Sequence, residues 1–252
     1  MDKITAYRAA LREITDWEPY LRANSNLPGP RGNLELVFAA AEEAAPVMIE
    51  RLLANDPLRA PENTPEAFLA VCGTVALGRL LAESADEAEQ ARILARLRGL
   101  ANDPRWRVRE GVAMALQRLG DASVERLLAD IEDWAEGAPL EQRAAAAAIC
   151  EPRLLRPPRH AAAALGLLDR ITNRLQVSRA RKSDAFQALR KGLGYCWSVA
   201  VAALPEEGKA RFAAWADCPD PDVRWVLREN LKKNRLQKMD PAWTAAMKER
   251  IV

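Results

Sequence analysis

Histidine occurs only once in this 252-residue chain, at His160. General acid–base chemistry most often uses His with a partner or a nucleophile, and neither is legible around it. Tyr (3) and Phe (4) are scarce. The cysteines are Cys72, Cys150, Cys196 and Cys218, none within four residues of another. That spacing excludes a zinc knuckle or a local redox pair, so they read as reduced core thiols. No glycine-rich phosphate loop or metal-ligand cluster occurs, and no cofactor is expected. The longest apolar run, Leu193 to Leu204, spans twelve residues and is broken only by Gly194 and Ser198. A bilayer takes about 20 residues, so this run reads as a buried helix and no membrane is expected. The start, MDKITAYRAALREI, has no signal-peptide core, and cytoplasmic location follows as the expectation. Alternating β-branched stretches are also missing, which argues for an all-α class.

What is present is alanine and charge. Hydrophobic residues make up 49% and charged residues 29%, the balance of an ordered chain. Ala has the best helix propensity and lets helices pack closely. Thirteen helical segments are expected, at about Ile4–Ala23, Leu34–Ala44, Pro46–Ala54, Pro65–Ala82, Asp86–Leu100, Asp103–Leu119, Ser123–Ala135, Pro139–Cys150, Arg159–Leu175, Asp184–Leu204, Pro205–Ala216, and from Asp220-Pro221 and Asp240-Pro241. Asp-Pro is a strong helix start. The carboxylate accepts an orphan N–H of the first turn, and Pro at the first position has no N–H to waste.

Two of these starts share a longer pattern. Asp103-Pro104-Arg105-Trp106-Arg107 and Asp220-Pro221-Asp222-Val223-Arg224 lie 117 residues apart (220 − 103), three times 39. A fixed period near 39 is the mark of stacked helical hairpins. After the first copy, Val108, Val112, Ala115, Leu116 and Leu119 form one apolar face.

The segment Asp103-Pro-Arg-Trp-Arg-Val108-Arg109-Glu-Gly-Val112-Ala113-Met-Ala115-Leu116 resembles the second helix of a HEAT repeat. The resemblance implies an α-α superhelix, a solenoid of antiparallel helical hairpins. It makes Asp103 and Arg109, and in the shorter copy Asp220 and Arg224, the residues that brace neighbouring repeats. It covers residues 103–236 within a single domain of 1–252, leaving 1–102 as divergent N-terminal helices and 237–252 as a C-terminal capping helix. After Arg224, Glu229-Asn230-Leu231-Lys232-Lys233-Asn234 is polar enough for a terminal repeat with a wet outer face. Some HEAT-like proteins are alkylpurine DNA glycosylases with Trp, Asp and Arg on a basic face. Here Trp134 sits beside Asp130 and Asp133, and Arg143 follows. One turn after Trp134 stands Ala138, so no catalytic Asp carries over.

The net charge of +2 hides a division. Residues 1–142 carry 16 Lys/Arg against 24 Asp/Glu, and residues 143–191 carry 11 against 3. Such polarity can steer an anionic partner. Arg224, Arg228, Lys232 and Arg235, spaced i, i+4, i+8 and i+11 on the helix opened by Asp220-Pro221, form a single basic stripe. Arg153, Arg156 and Arg159, then Arg179, Arg181 and Lys182, make two further clusters. Together they are the candidate surface for an anionic partner, an acidic protein face or a phosphate backbone. The loop from Leu27 to Asn33 has exposed backbone that could cradle a ligand, but it reads first as an interhelical connector. The expectation is a non-catalytic scaffold that binds a protein through a curved surface. The alternative is a nucleic-acid binder that uses 153–182 and 224–235, with a divergent repair glycosylase as its extreme form.

Overall fold

The computed structural model describes residues 2–251. Among them are fifteen α-helices, one 3-10 turn and no strand, so the protein is all-helical. The chain divides into two compact units between Ala122 and Ser123.

Unit 1 contains α1 (Lys3–Glu13), α2 (Trp17–Ala23), α3 (Leu34–Glu43), α4 (Pro46–Leu53), α5 (Pro65–Glu83), α6 (Glu87–Leu100) and α7 (Trp106–Ala122). Local chemistry sets most of the starts. Asn33, Thr64 and Asp86 accept first-turn N–H groups of α3, α5 and α6, and Pro46 and Pro65 open α4 and α5. The expected first helix is two helices. Ile14 is extended, and the Trp17 indole donates to Leu11 O at 3.0 Å, tying α2 to the end of α1.

The centre of unit 1 is α5, buried on every face and wrapped by α2, α3, α4, α6 and α7. Its 19 residues are long and apolar enough to cross a membrane, but here five helices cover them. Burying side chains such as Phe68, Leu69 and Leu81 stabilises by roughly 1.5–3 kcal/mol each. Gly78 sets the approach of α7, because a Cβ there would stand 2.3 Å from Ala115 O.

Unit 2 contains α8 (Val124–Asp130), a 3-10 turn (Asp133–Glu136), α9 (Pro139–Ile149), α10 (Pro158–Val177), α11 (Asp184–Ala203), α12 (Pro205–Ala216), α13 (Pro221–Leu231), α14 (Asn234–Met239) and α15 (Pro241–Arg250). Its centre is α11, packed by α9, α10, α12, α13 and α14. Trp197 is fully buried on α11, and its indole donates to Thr172 Oγ1 at 3.1 Å. Phe212 meets it edge-on at 6.1 Å. Asn230 is also fully buried. It accepts from Ser198 N (2.7 Å) and donates to Leu193 O and Val226 O (2.8 Å each), so a side-chain amide is stitched into the backbone of α11. The wet outer face expected around 229–234 is therefore corrected at Asn230 and Leu231, both buried.

The two units share an order of packing on a central helix, although α10 also packs on α9, α12 and α13, which the shorter α4 does not match. In unit 1, α3, α4, α6 and α7 pack on α5, and α6 packs on α7. In unit 2, α9, α10, α12 and α13 pack on α11, and α12 packs on α13, in the same chain order. Phe68 and Phe186 occupy matching places near the starts of the central helices, 118 residues apart (186 − 68). The interval of 117 between the Asp-Pro segments is thus the distance between equivalent parts of two five-helix groups.

Candidate functional site

The two Asp-Pro segments are built differently. Asp220 caps α13, its Oδ1 accepting from Asp222 N (3.0 Å) and Val223 N (3.1 Å). Asp103 does not open a helix at Pro104, and α7 begins at Trp106. Its carboxylate instead takes Arg105: Oδ1 accepts from Arg105 N (2.8 Å) and Nε (2.9 Å), and Oδ2 accepts from Nη2 (2.7 Å). Arg105 Nη1 then donates to Asn55 O (2.7 Å) and Ala60 O (3.2 Å), clasping the loop after α4. Arg109 Nη1 donates to the carbonyls of Asp103 (2.6 Å) and Pro104 (2.8 Å).

In unit 2 the clasp comes from the preceding loop. Arg181 donates to Asp220 Oδ2 and Asp222 Oδ2, 2.6 Å each, and Arg190 pairs with Asp222 from α11. Burial pushes the Asp220 carboxyl up, but hydrogen bonds from Arg181 and from Val223 N–H bring it below its usual value. The Asp220 and Asp222 hydrogen bonds hold Arg181 firmly protonated. Arg181 is therefore engaged inside the fold.

The basic stripe at 224–235 is corrected: it is not one helix face. The helix α13 ends at Leu231, and Arg235 lies on α14. Arg224 is half-buried. Arg228 donates to Ile251 O (3.4 Å), Lys232 pairs with Glu229, and Arg235 donates to the Tyr195 hydroxyl and lies 4.7 Å from that ring's centroid. Among the other cationic candidates, Arg153 pairs with Glu151 (3.0 Å) and Arg159 with Glu125 (2.8 Å). Arg156, Arg179 and Lys182 are exposed, with no hydrogen bond or ion pair among the described residues.

His160 is buried at the start of α10, its Nδ1 3.1 Å from Leu154 O and its Nε2 2.9 Å from Glu125 Oε1. Hydrogen bonds from His160 and Arg159 hold Glu125 down at about 2. These contacts join α8, α10 and the loop before it, a structural use of the ring. Trp134 is buried, and burial pushes the Asp130 carboxyl up. Cys150 and Cys196, 46 residues apart (196 − 150), meet in the core. The hydrogen bond to Cys196 and then burial push the Cys150 thiol well up, which keeps it protonated and unreactive.

A site that sequence patterns left weak is well developed in the structure. A cleft of about 480 Å³ lies in unit 1 between the start of α3, the first half of α5, the first half of α7 and the loop Pro30–Gly32. Val37, Phe68 and Val71, all buried, form its floor. Leu34, Trp106 and Met114 stand around it, with Leu34 45% and Trp106 46% exposed. Its charged groups are Arg31, Arg107 and Glu110. Arg107 is stacked on Trp106, 4.5 Å from the ring centroid, pairs with Glu62, and donates to Gly29 O (2.7 Å). Gly29 N in turn donates to Asn63 Oδ1 (3.0 Å). Asn33 is buried, donating from Nδ2 to Tyr7 Oη and Asn24 O, 2.9 Å each, while its N–H donates to Ser25 O (3.0 Å). The loop over the cleft is therefore held from both ends, and the cleft is preformed.

The Leu27–Asn33 loop and the Trp106-Arg107 pair were each visible in the sequence. Their meeting, across 78 residues (107 − 29), was not. The matching place in unit 2, around Phe186 and Leu189, holds a smaller pocket of about 350 Å³ lined also by Arg174, Val177 and Gln142. No family model, no curated protein and no solved structure matches this chain.

Proposed function

We propose that the chain is a HEAT-like helical solenoid acting as a non-catalytic scaffold that holds a partner protein. The carrying observation is the preformed apolar cleft of unit 1, with Leu34 and Trp106 left exposed at its edge. Monomeric surfaces seldom spend large apolar side chains on a concave site without an occupant. Trp, Met and Arg are also the residues enriched where a few contacts carry most of the binding energy. The repeated five-helix group and its Arg–Asp clasps support the solenoid reading, because repeat arrays are stabilised by each element's interface with its neighbours. The basic clusters support a nucleic-acid reading less well, since Arg153, Arg159, Arg181 and Lys232 are neutralised by carboxylates of the same unit.

The test is affinity capture with three forms of the intact chain: unaltered, Trp106→Ala, and one with Arg224, Arg228, Lys232 and Arg235 neutralised. A protein captured by the first and third forms but not the second, and rebound when purified, is the expected result. Capture that disappears on nuclease treatment, together with salt-dependent binding to duplex DNA or RNA, would replace the protein reading with the nucleic-acid one.

A further inference from the structure

Building on the protein-binding reading, we infer that the unit 1 cleft takes a short acidic segment of the partner, anchored by one large apolar side chain. The apolar part follows from the walls. Val37, Phe68 and Val71 make a floor with no hydrogen-bonding side chain, so a polar occupant would lose its water without compensation. Leu34 and Trp106 line the same cleft from different helices, α3 and α7. Burying such a pair on an incoming side chain gains apolar contact at little ordering cost, since Arg107 already holds the Trp106 ring.

The acidic part follows from charge. Unit 1 as a whole is acidic, with 15 Lys/Arg against 18 Asp/Glu in residues 1–122. The cleft runs against that trend, with two arginines and one glutamate in its lining. Arg107 has its carboxylate in Glu62. Arg31 is exposed and makes no hydrogen bond or ion pair among the described residues. A guanidinium left open beside an apolar floor suits a carboxylate next to the anchor residue, where a bidentate pair is available. With Arg107 paired to Glu62, Arg31 is the cation that the acidic flank would meet, beside Glu110 in the same lining.

The probes are fluorescein-labelled decapeptides with a central Phe-Leu pair flanked by Asp and Glu, by Ser and Gly, or by Lys, read by fluorescence polarisation on the full chain. The acidic peptide should bind about tenfold more tightly than the other two. Trp106→Ala and Leu34→Ser should each weaken it about tenfold, as removal of an anchor contact does. Arg31→Gln should reduce the preference for the acidic flank to about threefold or less, and added salt should do the same. Leu58→Ala, at an exposed apolar residue outside the cleft, should change nothing. Equal binding of the neutral or Lys-flanked peptide would overturn the acidic class while leaving the protein-binding reading intact. So would failure of all three peptides at about 1 mM while capture of the whole partner still depends on Trp106. Capture indifferent to Trp106, with no peptide bound, would remove both. A dimer seen by sedimentation and lost in Trp106→Ala would overturn the inference in favour of a second copy of this chain.

Discussion

In unit 1 the clasp behind the Asp-Pro segment is dry, with the Arg105 and Asp103 side chains 4% and 7% exposed. In unit 2 the corresponding clasp is partly wet, its Arg181 side chain 34% exposed, and it is doubled by Arg190. The same local signal, Asp-Pro, therefore serves two purposes. At 220 the carboxylate caps its own helix and receives arginines from the preceding loop and from α11. At 103 it gives up capping and orients Arg105 toward the carbonyls of Asn55 and Ala60. The consequence reaches the sites. In unit 1 Arg105 is turned into the scaffold and Arg107 is paired with Glu62, so the cleft keeps an apolar floor with Arg31 open in its lining. In unit 2 the matching pocket is smaller and carries Arg174 at its edge.

The sharpest probe of the five-helix correspondence is the pair Phe68→Ala and Phe186→Ala. Both rings are almost fully buried, and each truncation should cost about 3–5 kcal/mol in urea unfolding. Costs that differ by more than about 2 kcal/mol would break the energetic equivalence of the two groups.

The clasps come next. Arg105→Ala leaves the Asp103 carboxylate buried without its partner and should cost about 3–5 kcal/mol. Arg181→Ala should cost about 1 kcal/mol, because that pair is partly exposed, Asp220 keeps its cap bonds and Asp222 keeps Arg190. Equal losses would show that the two clasps are the same device. Asn230→Leu has no counterpart in unit 1. It removes the Asn230 side-chain hydrogen bonds to Ser198 N–H and Leu193 C=O from a buried position, and should cost about 1–3 kcal/mol.

Acid separates the units in another way. Glu43 in unit 1 is held below its usual value, first by the hydrogen bond from Arg12 and also by Arg8. Glu125 in unit 2 is held at about 2 by His160 and Arg159. A carboxylate whose folded pKa is depressed adds stability above its unfolded value, and that stability is lost as pH falls through the folded value. Both units should therefore weaken on acidification below about pH 4.5, and Glu125→Gln should remove Glu125's share of unit 2's dependence down to about 2, leaving that of Asp220 and Asp240. Acid unfolding followed at several pH values, with and without this change, checks it. The smallest effect is expected at the caps of the two central helices. Thr64→Ala and Ser183→Ala each lose one N-terminal hydrogen bond, to Ala67 N and Phe186 N, and should cost about 1 kcal/mol apiece.

How much could be read beforehand follows the distance over which each feature is decided. Asp220 and Asp240 cap helices as the Asp-Pro signal implies, because a cap is settled within three residues. Asp103 departs because Arg105 offers its carboxylate a buried bidentate partner, which local propensity does not weigh. The spacing of Arg224, Arg228, Lys232 and Arg235 promised a stripe, but the chain breaks at Lys232-Lys233 where α14 starts. Cys150 and Cys196 gave no spacing signal because α9 and α11 bring them together only in the core. The Leu27–Asn33 loop was legible as exposed backbone, and Trp106 only as part of the Asp-Pro segment, while the cleft between them was invisible.

By itself the sequence determined that this protein is all-helical, where most helices begin, and that something recurs at an interval of 117 residues. Those properties rest on propensity, capping and periodicity, which act within a turn or two. Only the tertiary structure decided which arginines are consumed in clasps, which remain open to water, and that Leu34, Phe68 and Trp106 surround one cleft. The reason is that these outcomes depend on how α5 and α11 are wrapped, and close packing of side chains far apart in the chain leaves no periodic trace.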